Sequence, residues 1–159
     1  MLKSRSEFRF VAIAVVFVLS QLSGKAQTTV TTTFQKQFSD TMMKVRTGET
    51  TNIQSDAAKQ LYVMTRDRDN HDLDDKTIAD LVSLLDHHIG LHWIAMCLGN
   101  IGPRAKIAIP KLQEKLAVED CYRVDVTASY ALRYALKQMG VTPPPPSCQH
   151  PFPFGYYPQ

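Results

Sequence analysis

The segment Asp86–Leu116, DHHIGLHWIAMCLGNIGPRAKIAIPKLQEKL, constrains the fold more than any other part of the chain. Gly99-Asn100-Ile101-Gly102-Pro103 places a glycine where one apolar run stops and a proline where the next begins, the end and start signals of consecutive helices. A corner this short returns the chain on itself, as in an αα-hairpin. Ala105–Ala108 then reads as a short helical turn that Pro110 interrupts. The residue before a proline is biased away from helix, so Ile109 is expected to be extended, with a kinked helix running on to Val118.

Helical periodicity continues on both sides. Phe34, Phe38, Met42 and Val45 form one stripe of a first helix ending near Gly48, and Ile53, Ala57, Leu61 and Met64, with Ala58 also turned inward, form the stripe of a second from Asn52 to Thr65. Ile78, Leu81, Val82 and Leu85 belong to a third, and Ile89–Gly99 is the fourth. The last runs from Arg123 to Met139, with Val124, Ala128, Ala131, Leu132, Ala135 and Met139 on one face and Gly140 as its stop. The fold class is all-α. Ala58-x-x-Leu61, Ala95-x-x-Leu98 and Ser129-x-x-Leu132 recur at spacings of 37 and 34 residues, and helical hairpins repeating at such a period imply a solenoid.

Asp86, Leu91, Ala95, Leu98, Gly99, Ile101, Gly102, Pro103, Ala105, Ala108, Pro110 and Leu112 together resemble the HEAT-like repeat of the type found in phycobilisome lyases. The resemblance covers one repeat densely and the flanking units weakly, as expected if those are atypical caps. It implies a short α-solenoid of about three HEAT-like hairpins over residues 34–140, and a scaffold that holds partners. Lyase members of that family attach bilins, but nothing here beyond the repeat points to that chemistry. Where the family places an arginine, this chain has His92.

The ends differ in kind from the middle. Lys3, Arg5 and Arg9 precede an apolar run from Phe10 to Leu19, and Gly24 and Ala26 then supply small residues, the layout of a signal peptide over residues 1–26. Its core is shorter than the ~20 residues of a membrane-spanning helix. Residues 27–33, QTTVTTT, read as a flexible lead-in. An exported protein, periplasmic or secreted, with no stable membrane span after cleavage, is the expectation. Residues 1–26 hold four of the 18 basic and one of the 15 acidic residues, so the remaining 133 residues carry 14 of each. A neutral chain lacks the basic stripe that nucleic-acid binding needs.

Residues 141–159, VTPPPPSCQHPFPFGYYPQ, favour extended polyproline II over helix. Phe152, Phe154, Tyr156 and Tyr157 are many aromatics for a tail, and they suggest docking on the repeats or on a partner. Of the three cysteines, Cys97 reads as a small buried residue. An extended stretch from Gly140 to Cys148 reaches ~25 Å, so a Cys121–Cys148 disulfide is geometrically permitted.

Residues that could do chemistry are sparse. The polar segment Arg66–Asp75 fails as a calcium loop: counted from Asp67, Asp72 stands where glycine is needed and Ile78 where glutamate is. Its last aspartates can instead cap the following helix. His87, His88 and His92 form one cluster, and His88 and His92, four apart, would share a helical face as weak metal candidates, but they lack the glutamate and a third ligand. A metal-binding periplasmic protein using this cluster is the alternative reading. No catalytic arrangement or cofactor motif has a local signature, so a non-catalytic protein-binding module is expected. Trp93, Met96, Tyr130, Arg133 and Tyr134 lie off the core stripes of the second helices, and aromatics and arginine dominate binding energy, so these are the candidate contacts to a protein partner. Packing between repeats is the competing role for Trp93.

Overall fold

The computed structural model describes residues 33–66, 72–122 and 126–145. The segments read as signal peptide and lead-in, the tail beyond Pro145, and both side chains of the expected Cys121–Cys148 pair lie outside that description. The chain divides into two compact units, residues 1–36 and 37–159, and the second holds the helical core from Phe38 onward.

Among the described residues the structure is all-helical: α1 (33–47), α2 (Thr51–Arg66), α3 (Asp75–Ser83), α4 (Leu91–Ile101), α5 (Ile109–Tyr122) and α6 (Val126–Gln138). None of these helices is long and apolar enough to cross a membrane. The stripe on α1 is buried as its spacing requires, Phe38 completely. Asp74 caps α3, its carboxylate accepting from the Thr77 N–H at 2.7 Å. After α6, Gly140 at φ 81° lets the Val141 N–H reach Leu136 O at 2.9 Å and the Gly140 N–H reach Lys137 O at 3.0 Å, a Schellman closure that turns the chain back.

Helix α4 packs between α2 and α6. The contacts fix direction as well as adjacency. Cys97 Sγ–H donates to Leu61 O, Asn100 donates to Thr65 Oγ1, and Tyr134 donates to Asn100 Oδ1, at sequence separations of 36, 35 and 34. Because residues further along one helix meet residues further along the next, α2, α4 and α6 run parallel in one row at a nearly constant offset. The other helices are tied in sequence order: Arg46 on α1 donates to Asp80 O and Ser83 Oγ on α3, and Asp86, just past α3, accepts from Lys111 (2.7 Å) and Lys115 (3.2 Å) on α5. These lysines hold the Asp86 carboxyl below the usual carboxylate range.

Four local expectations are corrected. On α2 the core stripe is Ala57, Ala58, Leu61 and Thr65, while Ile53 is 45% exposed and Met64 only half-buried. Thr65 can face inward because its hydroxyl donates to Leu61 O and Tyr62 O within its own helix. The third stripe closes in a 3-10 turn, Leu84–Asp86, which brings Leu84 as well as Leu85 into the core. Ile109 is helical (φ −51°, ψ −51°), because Pro110 falls in the first turn of α5, where a missing N–H costs nothing. The break lies earlier, at Ala105 (φ −88°, ψ 21°) in the 3-10 stretch Gly102–Ala108. Finally, α4 begins at Leu91 rather than Ile89, since Gly90 takes the left-handed conformation at φ 75°.

Candidate functional site

The parallel row presents a face built from what each helix leaves outside the core. On α4 the buried residues are Leu91, Ile94, Ala95, Cys97, Leu98, Gly99 and Ile101, so at 100° per residue His92, Trp93, Met96 and Asn100 share the outward side. All four are half-buried. Trp93 leans towards α2, where its ring lies 5.3 Å from that of Tyr62, and the His92 ring is 4.5 Å from it on α4 itself. Two cations complete the strip, Lys59 Nζ at 5.9 Å from the Trp93 ring and Arg66 at 5.9 Å from the Tyr62 ring, both within cation–π range.

On α6, Ala128, Ala131, Leu132, Ala135 and Leu136 are buried, as is Met139 just past its end, which turns Tyr130 and Lys137 outward. Tyr130 is 68% exposed. Tyr134 sits at the α4–α6 seam, with its ring over Gly99 and its hydroxyl on Asn100 Oδ1 at 3.3 Å. Arg133 is on the opposite flank and is committed within the fold. One guanidinium nitrogen pairs with the largely buried Asp120 carboxylate, which also accepts from Ser129 Oγ at 2.6 Å, and the other donates to Pro144 O at 2.9 Å.

Of the residues singled out from sequence, Trp93 and Met96 thus share the outward side of α4, and Tyr130 and Tyr134 occupy the neighbouring helix of the same row. Arg133 is drawn away to α5 and the tail. Trp93 packs between helices α4 and α2, through Tyr62, while staying half-exposed. Tyr62, Lys59 and Arg66 are not among the residues that sequence reasoning singles out. The signal is present in their spacing, since i, i+3 and i+7 share one helical face, but it carries weight only once Trp93 is seen to lie across from it.

The histidines do not form the helical pair expected of them. His88 belongs to the turn before α4, because Gly90 in the left-handed region stops that helix from extending back, so only His92 is helical. Among the described residues no three His, Cys, Asp or Glu side chains are grouped to hold a metal ion. Cys97 is fully buried on the inner side of α4, and burial pushes its thiol up to about 12. Since the thiolate is the reactive form, alkylation at mildly alkaline pH, followed by peptide mass spectrometry, should leave Cys97 unmodified in the native protein and label it only under denaturing conditions.

Comparison of the chain with protein families, with curated proteins and with solved structures gives no match.

Proposed function

We propose that this chain is a non-catalytic, exported scaffold of about three HEAT-like hairpins, and that the α2–α4–α6 face holds a protein partner. The pairs would be α1 with α2, α3 with α4 and α5 with α6, and the second helix of each would contribute to one surface, as in solenoids generally. The observation carrying this reading is the aromatic row itself. Tyr62, Trp93, Met96 and Tyr134 are half-buried and Tyr130 is largely exposed, on three parallel helices, with Lys59, Arg66 and Lys137 around them. Such a composition, aromatics and Met with basic residues at the margin, is that of protein-binding surfaces. The offset of 34–36 residues between the helices of the row supports the repeat reading, because unrelated helices would have no reason to keep a constant separation.

The test is capture of partners from the cell envelope and secreted fractions, comparing the parent with a Trp93→Ala/Tyr130→Ala variant. Arg133 is left untouched, because its loss would strand Asp120. Hot-spot truncations cost about 2 kcal/mol or more, so specific partners should be depleted roughly thirty-fold while helical circular dichroism is retained. Identical capture by both proteins would reject this face.

A further inference from the structure

Charge is distributed unevenly between the helices. Around α3 and α5 the lysines are neutralised within the fold: Lys76 pairs with Asp80 at 2.8 Å, Lys111 with Asp86 and Glu114, and Lys115 with Asp86. The row differs. Neither α4 nor α6 contains an Asp or a Glu, and the one acid of α2, Asp56, lies ~120° round that helix from Tyr62. Lys59 and Lys137 are exposed and, among the described residues, pair with no carboxylate. Lys137, in the last turn of α6, complements the negative end of its helix dipole. The dipole does not account for Lys59, which sits in the middle of α2 with its ammonium 5.9 Å from the centroid of the Trp93 ring. The offsets of 35 and 36 residues from α2 to α4, and of 34 from α4 to α6, put Lys59 level with residues 128–129 of α6, beside Tyr130. Lys137 stands two turns, ~10 Å, beyond Tyr130. The two lysines thus occupy opposite corners of a patch ~12 Å along the helices and ~16–20 Å across them, with Trp93, Met96 and Tyr130 between.

We infer that the segment held by this face is an acidic peptide stretch of the partner, with Asp or Glu side chains reaching Lys59 and Lys137 and an aromatic or aliphatic anchor seated between Trp93 and Tyr130. This rests on the α2–α4–α6 face being a protein-binding surface, and adds the chemistry of what binds. A basic segment would bring its cations against Lys59 and Lys137 with no acid on α4 or α6 to relieve them, and such like-charge contacts exclude a partner. Carboxylates at the same places complement the charge and steer the encounter. The apolar anchor follows from the rings, whose area is covered by burying an apolar group between the two cations. The size is right for one short segment, since the diagonal of the patch matches about six or seven residues of extended chain.

Trp93 is the chain's one tryptophan, so its fluorescence reads occupancy of the face. The probe is a displayed library of random dodecapeptides encoded without tryptophan and selected on the full chain. Enriched peptides should carry net negative charge and an apolar anchor, shift Trp93 fluorescence on binding, and weaken as salt is raised. Lys59→Glu/Lys137→Glu should lower their affinity about ten-fold or more with helical circular dichroism unchanged. Lys44→Glu/Lys106→Glu, the same change in net charge placed on α1 and on the 3-10 stretch, should lower it by less than about three-fold. Neutral or basic peptides that bind and shift Trp93, or equal losses in the two charge variants, would overturn the acidic partner while leaving the face as a docking surface. Enrichment only of peptides whose binding survives Trp93→Ala would reject the face itself, and with it the reading on which the inference rests. A Trp93 shift with dextran sulfate and with no enriched peptide would overturn both in favour of an anionic glycan.

Discussion

Replacing Gly90 with alanine should destabilise the protein by about 2–4 kcal/mol, because two separate penalties fall on one atom. Gly90 sits at φ 75°, where an L-residue with a Cβ pays ~1–2 kcal/mol. The added Cβ would also meet the Cβ of Ala58 on α2 at 2.5 Å, far inside van der Waals contact. Ala58 is fully buried and its Cβ is fixed to the backbone, so relief requires α4 to move off α2. The two terms can be separated. In Gly90→Ala/Ala58→Gly the clash is removed and the backbone strain remains, with ~1 kcal/mol added for glycine inside α2. Denaturant unfolding of the two single variants and the double should therefore show favourable coupling of more than ~1 kcal/mol. Additive losses would mean that the clash is relieved locally and that α4 does not rest on α2 through this contact.

That contact also shows where sequence reading stops. The helices themselves were legible, because burial of one face every 3.6 residues leaves a period in the residues: Phe38, Leu61, Leu81, Leu98 and Leu132 were expected in the core and are all fully buried. The stops at Gly48 and Gly140 and the cap near Asp74 were legible for the same local reason, whereas α4 runs past Gly99, its expected end, to Ile101 and stops at Gly102. What was not legible depends on neighbours distant in the chain. Thr65 takes the place of Met64 in the core with its hydroxyl satisfied twice, by donating to Leu61 O and Tyr62 O within α2 and by accepting from Asn100, thirty-five residues on, and no local pattern records that second partner. Ile109 is a local miss of another kind: it is helical because Pro110 falls in the first turn of α5, the break lying four residues earlier at Ala105. Gly90 read as one residue within a helix, yet its left-handed conformation, set against Ala58, removes His88 from α4 and with it the basis for a helical histidine pair. The candidate face divides in the same way. Trp93, Met96, Tyr130 and Tyr134 could be found as residues off a stripe, whereas Arg133 looked equivalent to them until Asp120 and Pro144 were seen to claim it.

Gly99→Ala probes the other seam and is expected to cost about 1–3 kcal/mol through overpacking alone, since Gly99 is not in the left-handed region. A Cβ there would lie 2.7 and 2.8 Å from ring carbons of Tyr134 and 3.1 Å from the Cα of Ala135. The ring could swing away, but the backbone of Ala135 cannot, so α6 must shift outward. Two effects should appear together. Thermal unfolding should fall by several degrees, about 4–8 °C per kcal/mol for a domain of this size. The Tyr134 hydroxyl should also leave Asn100 Oδ1, now 3.3 Å away, which breaks the polar line from Tyr134 through Asn100 to Thr65 across all three helices of the row. Tyr134→Phe removes that hydroxyl without the added Cβ and should cost only about 1 kcal/mol, the net worth of one hydrogen bond. If Gly99→Ala is no worse than Tyr134→Phe, the ring is what yields and α6 keeps its place. If it is clearly worse, the close approach of α4 and α6 at Gly99 sets the spacing of the row, and with it the distance between Trp93 and Tyr130 on the face that row presents.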